Sequence, residues 1–192
     1  METRELMMQA RETIMTILRK TKREGIEDLL VWMDGAGFYE APCSSKYHLC
    51  RSGGLAEHSL NVLEIAIEYA ISSFEVMKEK ITEDFINSVV ICSLLHDLGK
   101  AGQYGKPNYI LDEDLPFPEY KTNKDLLYVP HEVRSIVIAS KFIELTEEEQ
   151  FAILYHNGLY GELKGVKGKE TPLYMILHFA DMWASRMMEK EN

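Results

Sequence analysis

Six histidines are spread through this chain of 192 residues, and five of them, His58, His96, His131, His156 and His178, fall within or at the ends of segments with helical patterning. The stretch Ile91-Cys92-Ser93-Leu94-Leu95-His96-Asp97-Leu98-Gly99-Lys100 runs an apolar helix into an adjacent imidazole and carboxylate, then a glycine. Buried ionisable groups are costly unless they are paired or bind a metal. Asp181 poses the same problem, because Phe179, Ala180, Met182 and Trp183 surround it and no basic residue is placed for it before Arg186. A salt bridge or a cap-type hydrogen bond would satisfy Asp181, and so would a cation shared with the imidazoles. Neighbours in a helix point about 100° apart. His96 and Asp97 can therefore share one ion only where their helix ends, and Gly99 is expected to cap that end. Mixed imidazole and carboxylate ligands suit a divalent ion such as Mn, Fe, Ni, Co, Zn or Mg, not a thiolate zinc site.

The elements that must position these groups are mostly helical. Leu6, Ala10, Ile14, Ile17 and Leu18 recur at helical spacing and predict an amphipathic helix over 3–23. A shorter helix is expected from Ile26 to Met33, stopping at Asp34-Gly35-Ala36-Gly37. After an irregular stretch, a long helix over Leu55–Phe74 carries His58 near its start. Thr82 caps the buried helix that ends at the His96-Asp97 pair. The region 101–129, with Gly102, Gly105, Pro107, Pro116 and Pro118, predicts a long excursion with a small β-hairpin and a role as a lid or binding loop. Helical pattern resumes from His131 to about Glu144, and Thr146-Glu147-Glu148-Glu149 is a capping-box signature for the helix that reaches His156. A glycine- and lysine-rich loop with Lys164, Lys167 and Lys169 reads as a solvated turn, and Thr171-Pro172 caps a last helix bearing His178 and Asp181. The expected architecture is an all-α bundle in one compact domain, with helices of 1–40 packing on a core formed by 41–192.

Composition narrows the function. Hydrophobic residues make up 46% and charged residues 27%, as in an ordinary globular domain. The formal charge of −10, from 21 basic and 31 acidic residues, argues against broad binding of extended nucleic acid. It leaves room for a small anionic substrate held by a local positive site or a metal. Cys43, Cys50 and Cys92 are odd in number and lack CxxC spacing, which points to free thiols in a reducing compartment. His48 and Cys50 form an HxC pair that could bind a metal but reads more simply as structural. Nothing after Met1-Glu2-Thr3-Arg4-Glu5 resembles a signal-peptide core, and no apolar run approaches the roughly 20 residues of a membrane span. A cytoplasmic location is expected.

The order His58, His96-Asp97, Asp181 resembles the HD-domain superfamily of metal-dependent phosphohydrolases. The local contexts carry the resemblance: Gly53-Gly54-Leu55-Ala56-Glu57-His58, His96-Asp97-Leu98-Gly99-Lys100 and Leu177-His178-Phe179-Ala180-Asp181. The resemblance covers about residues 47–188 and implies a helical HD bundle. It implies that His58, His96, Asp97 and Asp181 hold a divalent ion. His131 and His156 look like the extra histidines of binuclear members, where Asp97 would bridge two ions; in mononuclear members such histidines contact substrate. His178, one turn from Asp181, is expected either to support the ligands or to pack in the core.

Such an ion lowers the pKa of bound water and neutralises charge on a phosphoryl oxygen. The expected activity is hydrolysis of a phosphomonoester or phosphodiester, of a nucleotide or another small molecule. Asp97 and Lys100 are the expected catalytic residues, with Lys100 binding phosphate or Asp97. Arg51, His131 and Arg134 are further expected substrate contacts, and Lys106 is a weaker one. Two alternatives within the same fold are a di-iron oxygenase and a non-catalytic nucleotide-binding module. No residue stands out as the general acid.

Overall fold

The computed structural model of the chain describes residues 2–114, 119–158 and 168–190. Its α-helices in that range are α1 (Glu2–Lys20), α2 (Ile26–Gly35), α3 (Gly54–Met77), α4 (Glu83–Leu95), α5 (His131–Ala139), α6 (Glu147–Tyr155) and α7 (Pro172–Trp183). A 3-10 turn at Leu98–Ala101 follows α4, and a π-helical turn at Ala184–Met188 continues α7. The hairpin β1 (Tyr109–Asp112) and β2 (Glu119–Thr122) is antiparallel, with Tyr109 opposite Thr122 and Asp112 opposite Glu119. The fold is all-α with one small hairpin, as the sequence predicts.

Helix α3 packs against both α4 and α7, and α6 packs against α7 and α5. Val62, Ala66 and Ala70 of α3 are fully buried at i, i+4 and i+8, so small residues line the stripe where helices meet. Every residue of α4 from Val89 to Leu95 is buried. The apolar core is continuous with Ile14 and Leu18 of α1 and with Leu29, Leu30 and Met33 of α2.

The starts of the helices follow the sequence signals. Thr82 accepts from the Phe85 amide, Thr146 and Glu149 close a capping box, and Thr171 accepts from the Tyr174 amide ahead of Pro172. Helix α5 is shorter than its pattern suggests. It stops at Ala139, and Ile143 and Leu145 enter the core from the turn that follows.

The excursion is tied down at its base. Arg134 is buried and donates to Asn108 Oδ1 at 2.8 Å and to the Leu127 carbonyl at 2.9 Å, while Asn123 Nδ2 donates to the Pro107 carbonyl. Lys106 donates to the Asp125 carbonyl within the same segment. Pro116 and Pro118, and Lys164 and Lys167 of the later loop, lie outside the described residues, while Lys169 is exposed.

One buried ion pair joins the N-terminal helices to the bundle. Glu149, fully buried, accepts from Arg23 Nη2 at 2.6 Å, Arg23 Nη1 at 3.0 Å, Ser88 Oγ at 2.8 Å and the Thr146 amide at 2.9 Å. Removing the carboxylate leaves a half-buried guanidinium and a helix cap without their acceptor. Glu149→Ala is expected to lower unfolding free energy by about 3–5 kcal/mol, read as a shifted urea midpoint. A loss below about 1 kcal/mol would mean that the pair is replaced by solvent.

Candidate metal centre

Two helix ends build the centre. Helices α4 and α6 stop at His96 and His156, and each ring turns back on its own last turn: His96 Nδ1 lies 2.9 Å from the Ser93 carbonyl and His156 Nδ1 2.7 Å from the Ile153 carbonyl. Each Nδ1 therefore carries the proton, and each Nε2 keeps its lone pair for the interior. The two C-termini also bring the negative ends of their helix dipoles to one place. Asp97 leaves helical backbone at φ −103° and ψ 12°, which lets adjacent His96 and Asp97 converge, as their spacing requires.

Asp97 is 1% exposed, and its two oxygens face different partners. Oδ2 lies 3.6 Å from His58 Nε2 and 3.5 Å from His96 Nε2. Oδ1 lies 3.1 Å from His131 Nε2 and 3.7 Å from His156 Nε2. Asp181 Oδ1 joins the first group, 3.2 Å from His58 Nε2. Four of the other residues expected to hold metal thus stand around the Asp97 carboxylate, and Asp181 joins them through His58. Lys100 follows from the same turn and donates from Nζ to Asp97 Oδ2 at 2.6 Å.

Electrostatics is tuned around this carboxylate. Burial alone would raise the Asp97 pKa, but Lys100, His96 and His131 hold it well below the usual carboxylate range. Burial also opposes ionisation of Asp181, and His58 overrides it to keep that carboxyl low. Burial, assisted by neighbouring His96, pushes His156 down to about 3, so its imidazole is neutral at physiological pH. The Lys100 ammonium, although buried, is pushed up by Asp97.

Two features bear on whether a cation fits. Asp97 Oδ1 is buried without a hydrogen-bond partner, an expensive state for an anionic oxygen. His58 Nε2 and His96 Nε2 approach to 3.3 Å with both Nδ1 atoms turned toward other acceptors, so two ring nitrogens crowd one point. A shared cation relieves both. His58, His96 and Asp181 offer donor atoms within 4.8 Å of one another, as do His96, Asp97 and His156. This donor set fits divalent ions that take nitrogen and oxygen ligands.

Supporting contacts fix the candidate ligands. Glu189, buried just past the π-helical turn, lies with both carboxylate oxygens 3.0 Å from His58 Nδ1, and Asn61 Nδ2 donates to its Oε1 at 2.9 Å. No local sequence pattern marks Glu189; the widened turn at Ala184–Met188 is what swings it inward. His178 Nδ1 donates to the His156 carbonyl at 2.7 Å, and its ring stacks on Tyr174. His178 therefore holds the backbone of a candidate ligand. Gly158, at φ 55°, lets that ring approach, since a Cβ there would lie 2.0 Å from His178 Cε1. Asn157 reaches both Glu132 and His131, with Nδ2 3.3 Å from His131 Nε2.

Three sequence expectations change. Arg51 pairs with Glu57 and lines a separate depression against Met7 and Ala10 of α1, so it does not face the centre. Arg134 is spent on anchoring the excursion and is not available to substrate. Gly99 does not cap α4, whose cap is His96; it sits in the 3-10 turn beside α5, where a Cβ would lie 2.4 Å from the His131 carbonyl. Its lack of a side chain lets the first turn of α5 reach Asp97. His48 turns its Nε2 to Cys43 Sγ at 3.4 Å.

A cavity of about 720 Å³ opens onto the centre. Asp97, His156, His178 and Asp181 line its floor, and Lys46, Arg186 and Lys190 stand among its lining residues with Lys100. None of the described residues of the excursion lines it. Among the described residues, no helix is long and apolar enough to cross a membrane.

Comparison with known proteins gives two findings. A family model for the HD domain matches residues 55–185. The dihydroneopterin 2',3'-cyclic phosphate phosphodiesterase of Methanocaldococcus jannaschii is 36% identical over 86 residues, which cover 45% of this chain and 31% of that protein. The match therefore spans less than a third of the relative's length. No solved structure matches the chain.

Gly99→Ala is expected to displace α5 and to separate His131 from Asp97 while sparing His58 and His96. Imidazole NMR signals of His131 should shift, with those of His58 and His96 little changed. Equal perturbation of all three, or of none, would contradict a role for Gly99 in the close approach of α5.

Proposed function

The chain belongs to the HD-domain family, and from that premise we propose that it is a metal-dependent phosphohydrolase acting on a small phosphoester. The observation that carries this reading is the division of Asp97 between two imidazole groups. His58, His96, Asp97 and Asp181 would hold one divalent ion, and Asp97, His131 and His156 a second. Ions so bound would supply hydroxide near neutral pH and draw charge from a phosphoryl oxygen.

The protein's own groups do the rest. Lys100 neutralises and orients the Asp97 carboxylate through Oδ2, which leaves Oδ1 directed toward His131 and His156. The Nδ1 contacts of His58, His96 and His156 fix the tautomer that presents Nε2. Glu132 Oε2 stands 3.5 Å from His131 Nδ1, and Asn157 donates to the same carboxylate, which steadies the ring from the side away from Asp97. Lys46, Arg186 and Lys190 give a chain of charge −10 a locally cationic opening, which favours an anionic substrate over an extended polyanion. A cavity of about 720 Å³ suits a molecule of nucleotide size. The relative's cyclic phosphodiester substrate supports a cyclic or open phosphodiester of a heterocycle-bearing small molecule as the first class to test.

The test is hydrolysis of 2',3'-cyclic nucleotides and a phosphomonoester panel with Mn, Mg, Ni, Co or Fe. Metal-dependent turnover that chelation abolishes, and that Asp97→Ala lowers by about 100-fold or more, is expected. Turnover that requires iron and oxygen would contradict the hydrolase reading, and nucleotide binding without any hydrolysis would favour a binding module. In a parallel elemental analysis, His156→Ala should reduce bound metal from two equivalents to one. Unchanged stoichiometry would remove His156 from the ligand set.

A further inference from the structure

A second group of donors stands beside His58, on the side of the Asp97 centre that the hydrolytic reading does not use. Cys43 Sγ lies 3.4 Å from His48 Nε2, and His48 Nε2 lies 3.8 Å from Glu189 Oε2. Donor atoms of Cys43, His48 and His58 all lie within 4.8 Å of one another. Both Glu189 oxygens lie 3.0 Å from His58 Nδ1; Oε1 also accepts from Asn61, and Oε2 also stands 3.8 Å from His48 Nε2. A tetrahedral zinc ion with Zn–S about 2.3 Å and Zn–N about 2.0 Å spaces its sulfur and nitrogen about 3.5 Å apart. The Cys43–His48 separation is close to that value.

The loop is built to hold these groups. Ser44 Oγ donates to the His48 carbonyl at 3.0 Å and accepts from the Tyr47 amide at 2.8 Å. The Cys43 amide donates to the Leu49 carbonyl at 3.1 Å, and Leu49 takes a left-handed backbone at φ 48°. A non-glycine residue in that region is strained, and such strain persists where the surrounding structure over-determines it. His48 also lines the cavity, which supplies a path for an ion and an open fourth position. Lys100 Nζ stands 3.9 Å from Cys43 Sγ, but its charge is already matched by Asp97 at 2.6 Å.

We infer that Cys43 and His48, with Glu189 Oε2 beside His48, form a site for a thiophilic divalent cation of the zinc type, apart from the nitrogen and oxygen centre on Asp97. Soft thiolate selects such ions, whereas the Asp97 centre, with no sulfur, suits harder ones. Binding displaces the Cys43 thiol proton to solvent, and no redox change is involved. An ion there would occupy the cavity wall that carries His48 and Glu189. Zinc in excess of the hydrolytic complement would thereby obstruct the site it adjoins.

The test is cobalt titration of the full chain followed by absorption. A thiolate-to-cobalt charge-transfer band in the near ultraviolet is expected, lost in Cys43→Ser and retained in Cys50→Ser. His48→Gln, a change in a partly exposed loop residue, should weaken the cobalt affinity read from that band by about tenfold or more. It decides the matter if Cys43→Ser does not fold. Absence of the band in the wild-type chain, its persistence in Cys43→Ser, or unchanged affinity in His48→Gln would overturn the inference. Asp97→Ala separates the two centres: it should remove ions from the hydrolytic site and leave the charge-transfer band in place.

Discussion

Asp97 sits 1% exposed with an ammonium on one oxygen, imidazoles near both, and no hydrogen bond to Oδ1. A lone carboxylate in an apolar bundle would take up a proton. Here the surrounding charges hold it ionised, and five side chains from four parts of the chain are arranged about it. Much of the fold can be understood as the means of bringing those groups to one point. Helices α4 and α6 end where their last residues can reach Asp97, α3 delivers His58 from its first turns, and α5 starts at His131 because Gly99 clears the way.

The supporting layer explains why the candidate ligands are held without freedom. Two histidines are tied to carbonyls of their own helices, which any chain can supply once the helix forms. His58 is different, because it lies within α3 and has no free carbonyl of its own. Its Nδ1 needs a distant acceptor, and Glu189 meets that need from the far end of the chain. The π-helical turn after α7 is the local distortion that makes this possible. A regular helix continuing past Trp183 would carry Glu189 on a different phase.

The legible part of the site was the part set by short-range pattern. His58, His96-Asp97 and Asp181 stand in local contexts that can be read in a dozen residues, and helix caps at Thr82, Thr146 and Thr171 are strictly local signals. What sequence reading missed is set by long-range packing. Arg51 and Arg134 look alike in sequence terms as cations near the motifs, yet one faces Glu57 on the surface and the other braces the excursion. His48 meets Cys43, a contact no short pattern marks, where the loop closes between Cys43 and Leu49. Gly99 reads as a helix stop, and its function as a contact surface for α5 appears only when two elements meet.

The central claim is that one buried carboxylate, Asp97, joins two divalent ions. Electron paramagnetic resonance of the protein loaded with two equivalents of manganese tests it most directly. Ions bridged by a carboxylate are exchange-coupled, so the account predicts a multiline spectrum of a coupled pair in place of an isolated-ion signal. A spectrum that is the plain sum of isolated manganese ions at two equivalents would contradict it.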